Sequence, residues 1–148
     1  MTQRRRVVIL VADHFQPLDV IGPAEVFAGA DQLRRGSYDV VVASPVGGLV
    51  RSDSGVVALD SVAVSELDQG LDTLLVGGGF GARHVGPDDP VPALVRALAP
   101  QCRRVASVCT GAFVLAAAGV LDDRRAATHW RAAEELAARY PAVRVDAE

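Results

Sequence analysis

The sequence predicts an α/β fold, in which helices cover both faces of a mostly parallel sheet. Short apolar runs rich in valine alternate along the chain with runs rich in alanine and leucine. Continuous apolar runs are typical of strands buried on both faces, and their alternation with helical segments indicates βαβ units. Half of the 148 residues are apolar but only 5% are aromatic, so a single aliphatic core is expected.

The first part of the chain predicts two strands, one helix and a hairpin. Residues 7–12 form an unbroken apolar run and are expected to be a central strand. A loop follows, and Pro23 is placed in the first turn of a helix, where its missing N–H has no partner to lose. The later elements here are a second strand at 38–43, a short hairpin at 49–57 and an ambiguous segment at 62–67.

The second part of the chain continues the alternation of strands and helices. A glycine-rich loop follows its first strand, and an amphipathic helix begins at Pro90. In chain order we predict a strand at 73–76, a helix at 90–100, a strand at 104–109, a buried helix to residue 121, a brief strand within 126–130, a helix at 131–140 and a strand from 143.

Three segments that carry polar residues or glycines follow predicted strands. They are residues 13–19, the loop at 77–81 and the pair Cys109-Thr110. In doubly wound sheets, binding sites lie outside the carboxyl ends of the strands. We therefore expect the three segments to converge.

Cys109 is the strongest candidate functional residue because it ends an apolar run directly before Thr110-Gly111 and a helix. A thiol at a helix N-terminus faces unpaired N–H groups and the positive end of the macrodipole. That setting favours the thiolate, which is the nucleophile, so Cys109 is expected to be alkylated far faster than Cys102. The alternative is that Cys109 is a small buried hydrophobe.

Four other residues are candidates to act with Cys109. Asp19 either shares a proton with the thiol or caps the following helix. The backbone N–H groups of Gly79 and Thr110 are placed to stabilise developing negative charge. His129 either activates the thiol or is a partly buried structural residue.

Composition excludes several classes of function. The net charge of −3 gives no indication of nucleic-acid or anionic-membrane binding. No apolar run is long enough to span a bilayer, and no signal peptide is recognisable. The two cysteines are expected to remain unpaired, as in a reducing cytosol, so a cytoplasmic location is expected. Histidines and cysteines are too few and scattered for a metal site, and no cofactor site is predicted.

Taken together, the motifs resemble the ThiJ/PfpI superfamily. The resemblance is carried by LDVIGPAEVF at 18–27, VGGG at 76–79 and SVCTGAF at 107–113, with Thr128-His129-Trp130 in support. It implies a flavodoxin-like three-layer α/β/α sandwich of the class I glutamine amidotransferase type. Within it, Cys109 would be the elbow cysteine and Asp19 its acidic partner, while Gly79 and Thr110 would supply backbone donors and His129 would lie near the site.

Two branches of the superfamily are most similar. One is the N-terminal domain of AraC-family transcriptional regulators, a ligand-sensing or dimerising module that reaches DNA only through a separate helix-turn-helix domain. The alternative is isonitrile hydratase, acting through Cys109 and Asp19. Thr110 stands where the protease-like branch has histidine, and Asp19 stands where glyoxalases and deglycases have glutamate.

The resemblance also implies the domain organisation and the partners. Residues 1–148 are expected to form one ThiJ/PfpI-type domain that lacks the usual last strand and C-terminal helix and contains no helix-turn-helix. A small-molecule ligand or substrate and a second copy of the chain are the expected partners, and no membrane is expected.

Overall fold

The computed structural model describes residues 4–68 and 70–146. Single turns of 3-10 helix lie at Val64–Glu66, Ala99–Gln101 and Trp130–Ala132. In chain order the other elements are β1 (Arg5–Leu10), α1 (Pro17–Leu33), β2 (Tyr38–Ser44), β3 (Gly48–Arg51), β4 (Ala58–Ala63), β5 (Leu71–Val76), α2 (Phe80–His84), α3 (Pro90–Leu98), β6 (Arg104–Ser107), α4 (Gly111–Ala117), β7 (Arg125–Ala126), α5 (Ala133–Arg139) and β8 (Arg144–Val145).

Six strands form the main sheet in the order β3-β4-β2-β1-β5-β6. All neighbours are parallel except the β3–β4 hairpin, which confirms the predicted mostly parallel sheet. β7 and β8 form a separate parallel pair. The chain adds β2 on one side of β1 and β5 on the other, so the order reverses there. This reversal opens a crevice at the carboxyl ends of β1 and β5.

Helices cover both faces of the main sheet, as the predicted three-layer sandwich requires. Successive residues of β1 point to opposite faces. Val7 and Ile9 pack in the core under α1, and Val8 and Leu10 pack in the core that contains α3 and α4. A smaller cluster joins α4 to α5. Because β1 is buried on both faces, its carboxyl end is a rigid support for the loop that follows.

Helix α1 begins at Pro17, not near Pro23 as the sequence predicts. Pro17 occupies the start of the helix, where a fixed φ is favourable. Pro23 lies inside the helix and removes only the bond that its nitrogen would donate to the carbonyl of Asp19. The earlier start places Asp19 in the first turn.

Three predicted boundaries in the second half are wrong. β6 ends at Ser107, two residues before Cys109, because the chain turns there. α4 ends at Ala117 and not at residue 121, since Gly119 adopts a φ of +75° that is incompatible with a helix. The brief strand lies at Arg125–Ala126, ahead of the segment centred on Thr128.

Among residues 4–68 and 70–146, no helix combines the length and apolar character needed to cross a bilayer.

Candidate functional site

The three segments expected to converge meet at the carboxyl ends of β1 and β5. Asp19 in the first turn of α1 accepts the N–H of Gly78 through Oδ2 at 3.1 Å. The Gln16 N–H donates to the carbonyl of Gly78 at 2.8 Å. The loop after β5 is in turn bonded to Thr110, directly after Cys109. The glycine loop therefore links the acid on α1 to the turn that carries the cysteine.

Cys109 occupies a turn with unusual backbone geometry. Its φ of +54° lies in the left-handed region, which a side chain other than glycine adopts only at a cost. The hydroxyl of Thr128 donates to the carbonyl of Cys109 at 2.9 Å and holds the turn from outside. On the inner side, a Cβ on Gly111 would lie 2.3 Å from the carbonyl oxygen of Val76, so only glycine fits. These contacts keep the thiol at a tight bend between β6 and α4.

The Asp19 carboxyl and the Cys109 thiol form an electrostatically coupled pair. The pKa of Asp19 is raised because its side chain is buried. The Gly78 N–H, the Cys109 thiol and the charge of His129 each lower this pKa, but burial has the larger effect. Burial also raises the pKa of Cys109, and the negative charge of Asp19 raises it further. The pair therefore retains a proton at neutral pH.

The surroundings of Cys109 act in both directions on the thiolate predicted there. The N–H and hydroxyl of Thr110 do lower the pKa of the thiol, as the helix-terminus argument requires. Desolvation and the neighbouring carboxylate outweigh them. Burial raises the pKa of Cys102 as well, and no Thr110-like donor lowers it, so the relative alkylation rate of the two thiols stays a prediction. Both cysteines are unpaired, as expected.

Gly79 is placed differently from its predicted role. Its φ of +135° requires glycine, but its N–H donates to Thr110 Oγ1 at 2.9 Å and does not point into an open site. The Thr110 N–H is the donor that lies by the sulfur, where it lowers the pKa of the thiol. Of the two backbone N–H groups, that of Thr110 lies beside the sulfur and that of Gly79 is bonded to the Thr110 side chain.

The two alternatives for Asp19 are decided by its hydrogen bond. Gln16 is the N-cap of α1 and has no side-chain capping bond. Asp19 instead directs its carboxylate across to the loop after β5. The side chain therefore belongs to the site and not to a helix cap.

His129 lies at the edge of the site and is exposed, not partly buried. Its Nδ1 accepts the N–H of Arg131 at 3.2 Å, and its ring stacks on Trp130 with centroids 5.7 Å apart. Its charge lowers the pKa of Asp19. The electrostatic partner of His129 is thus the acid, whereas sequence reasoning paired it with the thiol.

Comparison with known proteins identifies the family. The sequence pattern that defines the DJ-1/PfpI family matches residues 5–145. The chain belongs to the DJ-1/PfpI family. This confirms the ThiJ/PfpI resemblance, which is the same family under another name.

Three proteins illustrate what this DJ-1/PfpI chain is similar to. A protein of the cpoL 5′ region in Streptomyces lividans is 46% identical over 138 residues, covering 92% of this chain and 95% of that protein. Isonitrile hydratase from Pseudomonas putida is 35% identical over 127 residues, covering 84% of this chain and 52% of the hydratase. An AraC family transcriptional regulator from Pseudomonas putida superposes with a TM-score of 0.78 at 26% identity, covering 97% of this chain and 77% of that one. The chain thus spans nearly all of the first relative and about half of the hydratase.

Sequence reasoning missed three residues that shape this DJ-1/PfpI site. Gly78 donates to Asp19, and a Cβ there would lie 2.6 Å from the Asp19 carboxylate. Gly111 permits the close approach of the turn to β5, and Thr128 bonds the Cys109 carbonyl. Close approach of the backbone is indicated by the runs Gly77-Gly78-Gly79 and Thr110-Gly111. The sequence does not show which atoms contact which glycine.

Within the described ranges, no cluster of three or more histidine, cysteine, aspartate or glutamate side chains is arranged to hold a metal ion.

Proposed function

We propose that this DJ-1/PfpI domain adds water to the terminal carbon of an isonitrile, giving an N-substituted formamide. The observation that carries the proposal is the Asp19–Cys109 pair, in which a buried carboxyl held by the Gly78 N–H lies beside a thiol whose pKa is raised by burial and by the carboxylate charge. Isonitrile hydration needs a nucleophile and a proton at the same carbon, and the pair supplies both. The 35% identity to an isonitrile hydratase supports this choice of substrate.

In the proposed first step, the sulfur of Cys109 bonds to the terminal carbon of R–N≡C. The proton of the pair moves to that same carbon, which gives the thioimidate R–N=CH–S–Cys109 and leaves Asp19 as a carboxylate. The raised pKa of Asp19 makes it a stronger base once its proton is lost, which suits it to the next step.

In the second step, Asp19 removes a proton from a water molecule as the water oxygen bonds to the thioimidate carbon. Asp19 passes that proton to the nitrogen, giving R–NH–CH(OH)–S–Cys109. The carbon–sulfur bond then breaks and the hydroxyl proton returns to the pair, which releases R–NH–CHO. The N–H of Thr110 beside the sulfur stabilises the departing thiolate, since it lowers the pKa of the thiol.

The test is incubation with cyclohexyl isocyanide, with N-cyclohexylformamide followed by the NMR signal of its formyl proton. We expect product from the wild type and from the matched control Cys102→Ala. Cys109→Ala and Asp19→Asn should give only the rate without protein, because each removes one member of the pair. Equal rates for the wild type and Cys109→Ala would overturn the proposal.

A second candidate function is ligand sensing in an AraC-type regulator. It is favoured by the superposition on such a regulator across 97% of this chain. In that role the Asp19–Cys109 pair binds the ligand without turnover, and binding changes the association of two copies. Sedimentation with and without cyclohexyl isocyanide distinguishes the two functions. A shift in the monomer–dimer equilibrium with no formamide would favour the sensor.

A further inference from the structure

The aromatic side chains are divided unevenly between the interior and the surface. The chain has four phenylalanines, two tyrosines and one tryptophan, and all of them lie in described parts of the chain. The exceptions to burial are Phe80 and Trp130, which are 61% and 72% exposed. The buried or half-buried ones are Phe15, Phe27, Tyr38, Phe113 and Tyr140.

Both exposed rings lie on segments that contact the Cys109-Thr110 turn. Phe80 directly follows Gly79, whose N–H and C=O are both bonded to the Thr110 hydroxyl. Trp130 comes two residues after Thr128, which donates to the Cys109 carbonyl. A protein with so few aromatic residues thus leaves two of them uncovered, each next to a residue that bonds the Cys109-Thr110 turn. Exposed aromatic rings beside a candidate site are typical of a binding surface.

Each exposed ring is held in place by its neighbours. Phe80 lies against His84, with ring centroids 4.0 Å apart, and the Nδ1–H of His84 donates to the Phe80 carbonyl at 2.8 Å. Trp130 is stacked on His129 and has the Arg131 guanidinium 4.8 Å from its ring centroid. The rings are therefore pre-positioned, which reduces the entropy lost when they bind a ligand.

A salt-bridge network joins the segment that carries Phe80 to the helix that follows Trp130. Arg83 of α2 donates through Nε to Glu135 of α5 at 2.7 Å. Arg139 donates to Glu135 at 3.3 Å and to the carbonyl oxygens of Arg83 and Val85 at 2.6 and 2.8 Å. The helix that begins at Phe80 and the helix that follows Trp130 are thereby tied together.

We infer that Phe80 and Trp130 are the specificity-determining residues of this site and bind the organic substituent of the ligand. The inference rests on the proposed function for the identity of the ligand, an isonitrile whose substituent is a cyclic or branched hydrocarbon. The reacting carbon lies at Cys109 and Asp19, and the substituent extends outward to the two rings. Small substituents do not reach the rings and gain nothing from them.

The kinetic test compares cyclohexyl isocyanide with methyl isocyanide. We expect Phe80→Ala and Trp130→Ala each to lower the ratio of kcat/KM for the cyclohexyl over the methyl compound about 3- to 10-fold. Phe80→Tyr and Trp130→Phe keep a ring and should keep most of the ratio. Leu33→Ala, at a side chain 92% exposed at the end of α1, is the matched control and should change nothing. An unchanged ratio in both alanine variants would overturn the inference.

The binding test separates this inference from the hydration reaction. Trp130 is the only tryptophan of the chain, so its fluorescence reports directly on the site. In Cys109→Ala, cyclohexyl isocyanide should change the Trp130 emission saturably, and the additional Phe80→Ala should raise the Kd about 3- to 10-fold. Saturable binding with no formamide produced by the wild type would contradict the hydration reaction and support the aromatic binding site. Formamide production with no saturable change in emission would support the hydration reaction and contradict the aromatic binding site.

Discussion

The hydroxyl of Thr110 lies 2.9 Å from both the backbone nitrogen and the carbonyl oxygen of Gly79. It accepts from the N–H and donates to the C=O, so one side chain satisfies both polar groups of the glycine. These two hydrogen bonds join the loop after β5 to the turn before α4. The position of Cys109 relative to Asp19 depends on it, because Gly78 of the same loop holds the acid.

Removing the Thr110 hydroxyl should destabilise the fold. Thr110→Val keeps the shape of the side chain but leaves the Gly79 N–H without its partner, while the Gly79 carbonyl keeps only the Arg83 N–H at 3.2 Å. We therefore expect a loss of about 1–3 kcal/mol in the free energy of unfolding. Urea denaturation measures it. Thr110→Ser retains the hydroxyl and should stay close to the wild type. A valine variant as stable as the wild type would mean that these two bonds contribute nothing.

Asp19→Asn should make the Cys109 thiol more reactive. Burial raises the pKa of Cys109, and the negative charge of Asp19 raises it further. Removing that charge lowers the pKa, and alkylation at neutral pH follows the thiolate fraction. We expect a severalfold faster reaction with iodoacetamide, measured by mass spectrometry of the labelled peptide. Cys102 is the internal control, and its rate should not change. An unchanged or slower rate at Cys109 would show that Asp19 does not act on the thiol.

The same variant should change how stability depends on pH. Burial raises the pKa of Asp19 above its ordinary 3.8, so the folded chain holds this proton more tightly than the unfolded chain. The stabilisation that Asp19 gives the folded chain is fully present below pH 3.8 and is lost as the pH rises through the pKa of Asp19 in the folded chain. The unfolding free energy of Asp19→Asn minus that of the wild type should therefore increase from pH 3.8 upward and then level off. Chemical denaturation of both proteins across that range measures it, and a constant difference would contradict it.

Gly78→Ala should disrupt the site, whereas Gly22→Ala should not. A Cβ on Gly78 would lie 2.6 Å from the Asp19 carboxylate and 2.7 Å from the Thr110 nitrogen. We therefore expect a loss of about 1–3 kcal/mol in the free energy of unfolding and a loss of the proposed hydratase activity. Gly22 lies in α1 with nothing within 4 Å of its Cβ position. Alanine there should therefore increase the free energy of unfolding by about 0.5–1 kcal/mol. Thermal unfolding and formamide production measure both. Equal behaviour of the two variants would contradict the close contact at Gly78.

The sheet and the convergence of the site segments follow from patterns that the sequence displays. The apolar runs in β1 and β5 are continuous because side chains on both faces of those strands are buried. The switch point at β1 then brings residues 13–19, 77–81 and 109–110 together. Local periodicity carries no information about the start of α1, because Pro17 and Pro23 are equally good first-turn residues and tertiary packing chooses between them.

The electrostatics of the site were beyond sequence reasoning. Thr110 lowers the pKa of Cys109, as the position at a helix N-terminus predicts. The burial of the thiol and the charge of Asp19, which raise that pKa, depend on how the segments pack. The hydrogen bond from the Gly79 N–H could not be predicted for the same reason, since its partner Thr110 is 31 residues away in the chain.

The bend at residue 109 is maintained by contacts of main-chain atoms: Gly111 against Val76, and the carbonyl of Cys109 with the hydroxyl of Thr128. Neither of these two contacts involves the Cys109 side chain. Replacement of that side chain should therefore leave both contacts in place. The shape of the turn and the chemistry of the residue at its apex can thus be varied separately.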